Sequence, residues 1–192
     1  MKCKKQGFTL IELLVTVVVI GILAGLGVPA FTDLINSNRM ISFTNELVAS
    51  LQMARSSAVT RGSRVTLCQS NDRQNCTNNG LWEAGWIIFP DDNGNDVVDA
   101  GETVLRVHNG APGGGMTVRF VPTTGVANNI SFVSSGFPQS LNGAMQSGLF
   151  RICDNRGLTT LPNGLSDARG VEISAGGRIR ATRNRQVIAQ CP

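Results

Sequence analysis

Beyond Lys5 this chain of 192 residues contains no lysine, and His108 is its only histidine. Its five cysteines form no Cys-x-x-Cys pair, so a zinc site is not expected. No nucleophile stands in a recognisable motif with a histidine base, and both a phosphate-cradling loop and a dinucleotide fingerprint are missing. Gly113-Gly-Gly115 has no helical pattern after it and reads as a turn. These absences argue against an enzyme. Neither internal repeats nor a linker sets off a second domain, so the length suits one N-terminal helix and one compact domain.

The N-terminus holds the most distinctive pattern. Lys2, Lys4 and Lys5 precede an apolar run from Leu13 to Phe31, and the lone carboxylate of Glu12 stands at its edge. The run predicts a membrane-spanning helix, with the basic head on the cytoplasmic side and the rest exported. A charge at the rim of such a span is costly and calls for a function. A secretory cleavage site would follow the apolar core, whereas the Gly7–Phe8 junction precedes it. After Pro29, the residues Leu34, Ile35, Ile41, Leu47, Val48, Leu51, Ala54 and Ala58 recur at helical spacing, and Gly62 is a plausible stop. The expectation is one helix of about fifty residues.

The head Lys2-Cys-Lys-Lys-Gln-Gly7 followed by Phe8-Thr-Leu-Ile-Glu12 resembles the type IV prepilin signature. The resemblance implies cleavage between Gly7 and Phe8 by a prepilin peptidase and N-methylation of Phe8. It also implies pairing of Glu12 with the N-terminal amine of a neighbouring subunit, and a helix kink at Pro29. The expected organisation is a leader (1–7), a transmembrane and filament-core helix (8–31), its amphipathic continuation (32–62) and a β-rich domain (63–192). The fold expected is α+β and type IV pilin-like, a long helix packed on small antiparallel sheets. The expected location is the inner membrane as a single-pass protein with a periplasmic domain, then a surface pilus or a periplasmic pseudopilus.

Charge and cysteine refine this picture. Without the leader, fourteen arginines face thirteen acids, but 8–102 carries five arginines against ten acids and 103–192 nine against three. Cys68, Cys76, Cys153 and Cys191 remain, an even number that points to an oxidising compartment. Three connectivities are open. Cys68–Cys76, closing a short polar loop, and Cys153–Cys191, tying the C-terminal end to an interior strand, are favoured. His108 is assigned to a surface or hairpin position without a role.

From Arg64 onward, short runs bounded by Gly, Pro, Asn and Asp read as strands: 65–68, 86–89, 103–107, 117–121, 130–133, 149–153, 170–174 and 178–181. Trp82 and Trp86 lie beside apolar strand residues and are expected in the core. The pattern Trp82…Gly85-Trp-Ile-Ile-Phe-Pro-Asp91 with Asp99-Ala-Gly-Glu102 and Val104-Leu-Arg resembles the GspH/FimT family of minor pilins and pseudopilins.

Two further segments invite a chemical reading. Asp91, Asn93, Asn95, Asp99 and Glu102 stand in the ligand register of a calcium loop, with the Val97 carbonyl available between them. Asp96 occupies the position where such a loop turns on glycine, and the flanks read as strands. A solvated hairpin loop is therefore expected, with calcium as the competing expectation and no other cofactor. The second segment, Gly177-Arg178-Ile-Arg180-Ala-Thr-Arg183-Asn-Arg185, holds four arginines uninterrupted by an acid. On a strand Arg178, Arg180 and Thr182 would share one face, with Ile179 and Ala181 turned to the core. Guanidinium forks match phosphates, and without aromatics any nucleic-acid binding would be phosphate-led. Gly177-Arg178-Ile179-Arg180 resembles the C-terminal motif of FimT-type minor pilins. That resemblance implies non-specific capture of extracellular double-stranded DNA in natural transformation; Arg151, Arg156 and Arg169 are further arginines that would extend the patch if they share its face. The alternative is a structural tip or priming subunit of a pilus or of a type II secretion pseudopilus, binding only its relatives.

Overall fold

A computed structural model describes residues 7–77, 79–111, 113, 115–124, 128–159 and 165–191, apart from the side chains of 26, 27, 29 and 30. The leader lysines, and the side chain of Pro29 on which the expected kink depends, lie outside the described residues. The chain forms two compact units, Met1–Asn38 and Arg39–Pro192. Helix α1 runs from Leu10 to Arg61. In the first unit its apolar side chains are exposed, among them Leu10, Leu13, Val17, Ile20 and Leu23.

The expectation of a membrane-spanning segment over 8–31 is corrected. Among the described residues no helix is long and apolar enough to cross a membrane. Glu12 precedes the apolar run and Asp33 follows it. A single-pass topology in the inner membrane is therefore unsupported.

In the second unit, Met40, Phe43, Leu47, Leu51, Ala54 and Ala58 form a buried stripe at helical spacing. Two antiparallel sheets pack on it. The first has the order β3-β2-β1-β5, from β1 (Val65–Gln69), β2 (Gly85–Pro90), β3 (Arg106–Asn109) and β5 (Asn129–Phe132). The second has the order β4-β6-β7-β8, from β4 (Thr117–Thr124), β6 (Ser147–Cys153), β7 (Leu165–Ile173) and β8 (Ile179–Asn184). Both sheets contribute to one core with α1, through Val65, Leu67 and Ile88 on one side and Phe150, Ile152 and Val171 on the other.

Strand β1 is buried at all five positions because its second face is also covered. Cys68, Ile87 and Phe89 meet Val98 and Val104 of the loop that follows β2. On the outer face of the second sheet, Cys153 and Ala168 cover Ile188 of a short helix α2, Arg185–Ile188. Disulfides join Cys68 to Cys76 and Cys153 to Cys191. Trp82 and Trp86 are fully buried. Trp82 meets the Phe150 ring edge-on, with ring centroids 4.8 Å apart.

Two local expectations differ from the fold. The strand expected over 103–107 begins only at Arg106. Ala181 is exposed instead of facing the core, because β8 is an edge strand. His108 lies on β3, paired antiparallel with β2, at the hairpin position expected of it. Its ring stacks on Trp86 at 3.8 Å, and Nε2 meets the Glu46 carboxylate of α1, so it joins β3 to the helix.

Candidate functional site

The head of α1 is organised by a capping box. Thr9 N–H and Oγ donate to Glu12 Oε2 at 2.9 and 2.8 Å, and Glu12 N–H donates back to Thr9 Oγ at 3.3 Å. The backbone N–H of Thr9, and then its hydroxyl, hold the Glu12 carboxyl below the usual carboxylate range. Glu12 is thus already engaged within its own chain. Phe8 is exposed. A Cβ on Gly7 would meet nothing within 4 Å, and its φ is not left-handed. Nothing in the fold demands glycine at position 7.

Gly177 presents the opposite case. It ends the turn between β7 and β8, donating its N–H to Ser174 O at 2.8 Å, while Ser174 N–H donates to Arg178 O at 3.0 Å. Its φ is 75°, and an added Cβ would lie 2.5 Å from Gly136 O. Arg55 of α1 closes over both turns, its Nε donating to Gly136 O at 3.0 Å and its guanidinium to Gly177 O at 2.9 Å. Sequence reading overlooked Arg55. Its available signal was a charge beside the Leu51, Ala54 and Ala58 stripe.

The four tail arginines differ in their surroundings. Arg178 on the turn, Arg180 on β8 and Arg185 opening α2 are exposed. Arg180 Nε lies 3.9 Å from Glu172, its neighbour across the sheet. Arg183 is half-buried and donates from Nε to Ser166 O at 3.3 Å. The further arginines also differ. Arg156 pairs with Asp154 at 2.6 Å, Arg151 lines a groove with Glu172 on the outer face, and Arg169 joins Arg183 beside α1.

The acidic loop does not gather calcium ligands. Asp91 is fully buried and accepts Thr66 Oγ1 and Asn95 N–H, both at 2.9 Å. Asn93 and Asn95 turn their amide N–H groups onto Asp99 Oδ2, each at 2.7 Å. Glu102 accepts the backbone N–H of Asp92 and Asp99, both at 3.0 Å. The acids are spent on the loop itself, and asparagines acting as donors are not cation ligands. Among the described residues no group of three or more acids, His or Cys is arranged to hold a metal. The donor set does not fit the ion.

Type II transport protein GspH is the family that matches residues 44–177, more than half of the chain. The chain belongs to the GspH family. The prokaryotic N-terminal methylation motif matches residues 2–28. Among solved structures, the GspH-family fold is similar to the type IV minor pilin FimU of Pseudomonas aeruginosa. That likeness has a TM-score of 0.50 and 26% identity, over 76% of this chain and 89% of that one. The minor pseudopilin EpsH from the Type 2 Secretion System of Vibrio cholerae aligns with a TM-score of 0.48 and 10% identity, over 76% of this chain and 97% of that one. The type IV major fimbrial protein FimA of Dichelobacter nodosus is 29% identical over 112 residues, 58% of this chain. The matched part spans 57% of that relative's length. The chain is a type IV pilin- and pseudopilin-like minor subunit. The family match ends at Gly177, so Arg178 to Arg185 lie beyond it.

Proposed function

We propose that this GspH-family chain is a structural, non-catalytic minor subunit of a type IV pilus or a type II secretion pseudopilus, associating with related subunits. The observation that carries this reading is the exposure of apolar side chains all round α1 between Leu13 and Leu23. A helix that is apolar all round requires apolar neighbours, and like helices of other subunits supply them. Maturation is proposed at the Gly7–Phe8 bond by a prepilin peptidase, with methylation of Phe8. A glycine that folding does not require fits a demand made by such an enzyme. Glu12, freed from or shared with its capping box, would accept a neighbour's N-terminal amine. The test is to express the tagged chain in pilus- and pseudopilus-forming cells and to probe the sheared filaments. Its absence from both filament types would sink the proposal.

A second reading, non-specific capture of double-stranded DNA as in FimT-type pilins, rests on the exposure of Arg178, Arg180 and Arg185. Against it stand the hydrogen bond of Arg183 to Ser166 O and the proximity of Glu172 to Arg180. A gel shift of duplex DNA at low salt, abolished by Arg178→Ala with Arg180→Ala, would support it. An unchanged shift leaves the structural reading alone.

A further inference from the structure

Arg169 and Arg183 meet in a cleft that the arginine turn does not share. Between Leu165 and Gly170, β7 contains more residues than β8 does between Asn184 and Thr182, so the register slips there. Irregularities of this kind re-aim side chains. Here the slip brings Arg169 beside Arg183 in a cleft of about 270 Å³, walled by Ile41, Thr44 and Asn45 of α1 and by Ala181 and Thr182 of β8. Burial pushes the Arg169 guanidinium down from its usual value, and the charge of Arg183 adds to this while Asp167 opposes it. Asp167 is itself engaged by Arg156 at 3.8 Å. Among the described residues neither Arg169 nor Arg183 forms an ion pair, and the buried Arg169 Nε has no hydrogen-bond partner. Two like charges held together beside a spare buried donor suit an anionic group.

We propose that this cleft receives the side-chain carboxylate of an Asp or Glu on a neighbouring pilin-like subunit, an inference that rests on the structural-subunit reading above. Charge complementarity favours this occupant. Residues 8–102 of this chain carry ten acids against five arginines, whereas 103–192 carry nine arginines against three acids. Related subunits with the same asymmetry meet acid to base in a head-to-tail contact, the geometry that builds open filaments. The cleft, with Ile41 and Ala181 beside the guanidiniums, offers no aromatic surface for a base.

The test places a photo-crosslinking residue at Asn45 in the full chain, within assembled filaments, and maps the captured peptides. Capture of an acidic segment of another subunit is expected. Arg169→Gln with Arg183→Gln should lower the yield about tenfold, the equivalent of one lost charge-assisted hydrogen bond. Arg183→Gln alone, on the edge strand, guards against misfolding and should still lower the yield severalfold. Capture of DNA, of a segment without acids, or of the same segment at full yield in either variant overturns the cleft proposal while the subunit reading stands. Absence of the unmodified chain from filaments overturns both.

Discussion

The head of α1 and the turn between β7 and β8 each carry a glycine beside a charged motif, yet their glycines are held by different demands. Gly7 has open space around it and an unremarkable φ; Gly177 sits at φ 75° with Gly136 O where a side chain would be. The head is self-contained, its Thr9–Glu12 box spanning three residues. The turn is held from afar, by an arginine 122 positions earlier in the chain. A motif that looks local in sequence is thus local in cause at one end of the molecule and tertiary in cause at the other.

The sharpest way to break this contrast is to put alanine at both glycines. Gly177→Ala should cost about 2–4 kcal/mol, combining a disfavoured φ with a steric overlap. Gly7→Ala should stay within about 0.5 kcal/mol while abolishing the shorter, processed form. Denaturant unfolding of the full chain in detergent, together with immunoblots of cell extracts, reads both. Equal stability losses would dissolve the distinction.

Next in size is the clamp. Arg55→Met leaves the Gly136 and Gly177 carbonyls without their donors and should cost about 1.5–3 kcal/mol, with Arg55→Lys recovering only part. A variant as stable as the parent would show that the turn stands without α1. Comparable in size is Cys153→Ser with Cys191→Ser, expected to lose about 2–4 kcal/mol. Because this bond closes 38 residues, its loss should exceed that from Cys68→Ser with Cys76→Ser, which closes 8.

The smallest effect belongs to the head. The Glu12 carboxyl is held below its ordinary 4.5, so its contribution is present above that value and fades as pH falls through the lowered one. Thr9→Ala should raise the Glu12 titration midpoint toward 4.5, as read by NMR of the carboxyl carbon. An unmoved midpoint would mean that the box does not form in solution.

Much of the fold was legible because its signals are periodic. The helix through Arg61, the strands expected at 65–68 and 149–153 (found at Val65–Gln69 and Ser147–Cys153) and the burial of Trp82 and Trp86 follow from apolar spacing and flanking turn residues. The membrane-spanning assignment over 8–31 is not supported, since among the described residues no helix is long and apolar enough to cross a membrane. The arginine tail was only half legible. Alternation predicted a shared face for Arg178, Arg180 and Thr182, but the register slip in β7 and the turn into α2 sent Arg183 and Arg185 elsewhere. Likewise, the ligand register of the acidic loop was real as spacing but empty as chemistry, because backbone N–H groups and asparagine amides claimed its carboxylates first.

By itself the sequence determined what depends on neighbours a few residues apart: the helix, the strand pattern and the charge asymmetry between the two halves. Tertiary structure alone decided the rest. It clamped Gly177 under Arg55, stacked His108 on Trp86 against Glu46 and brought Arg169 beside Arg183 in a cleft facing α1. These contacts join residues far apart in the chain, and the directions of their side chains are fixed by sheet register and helix packing, which no local pattern encodes.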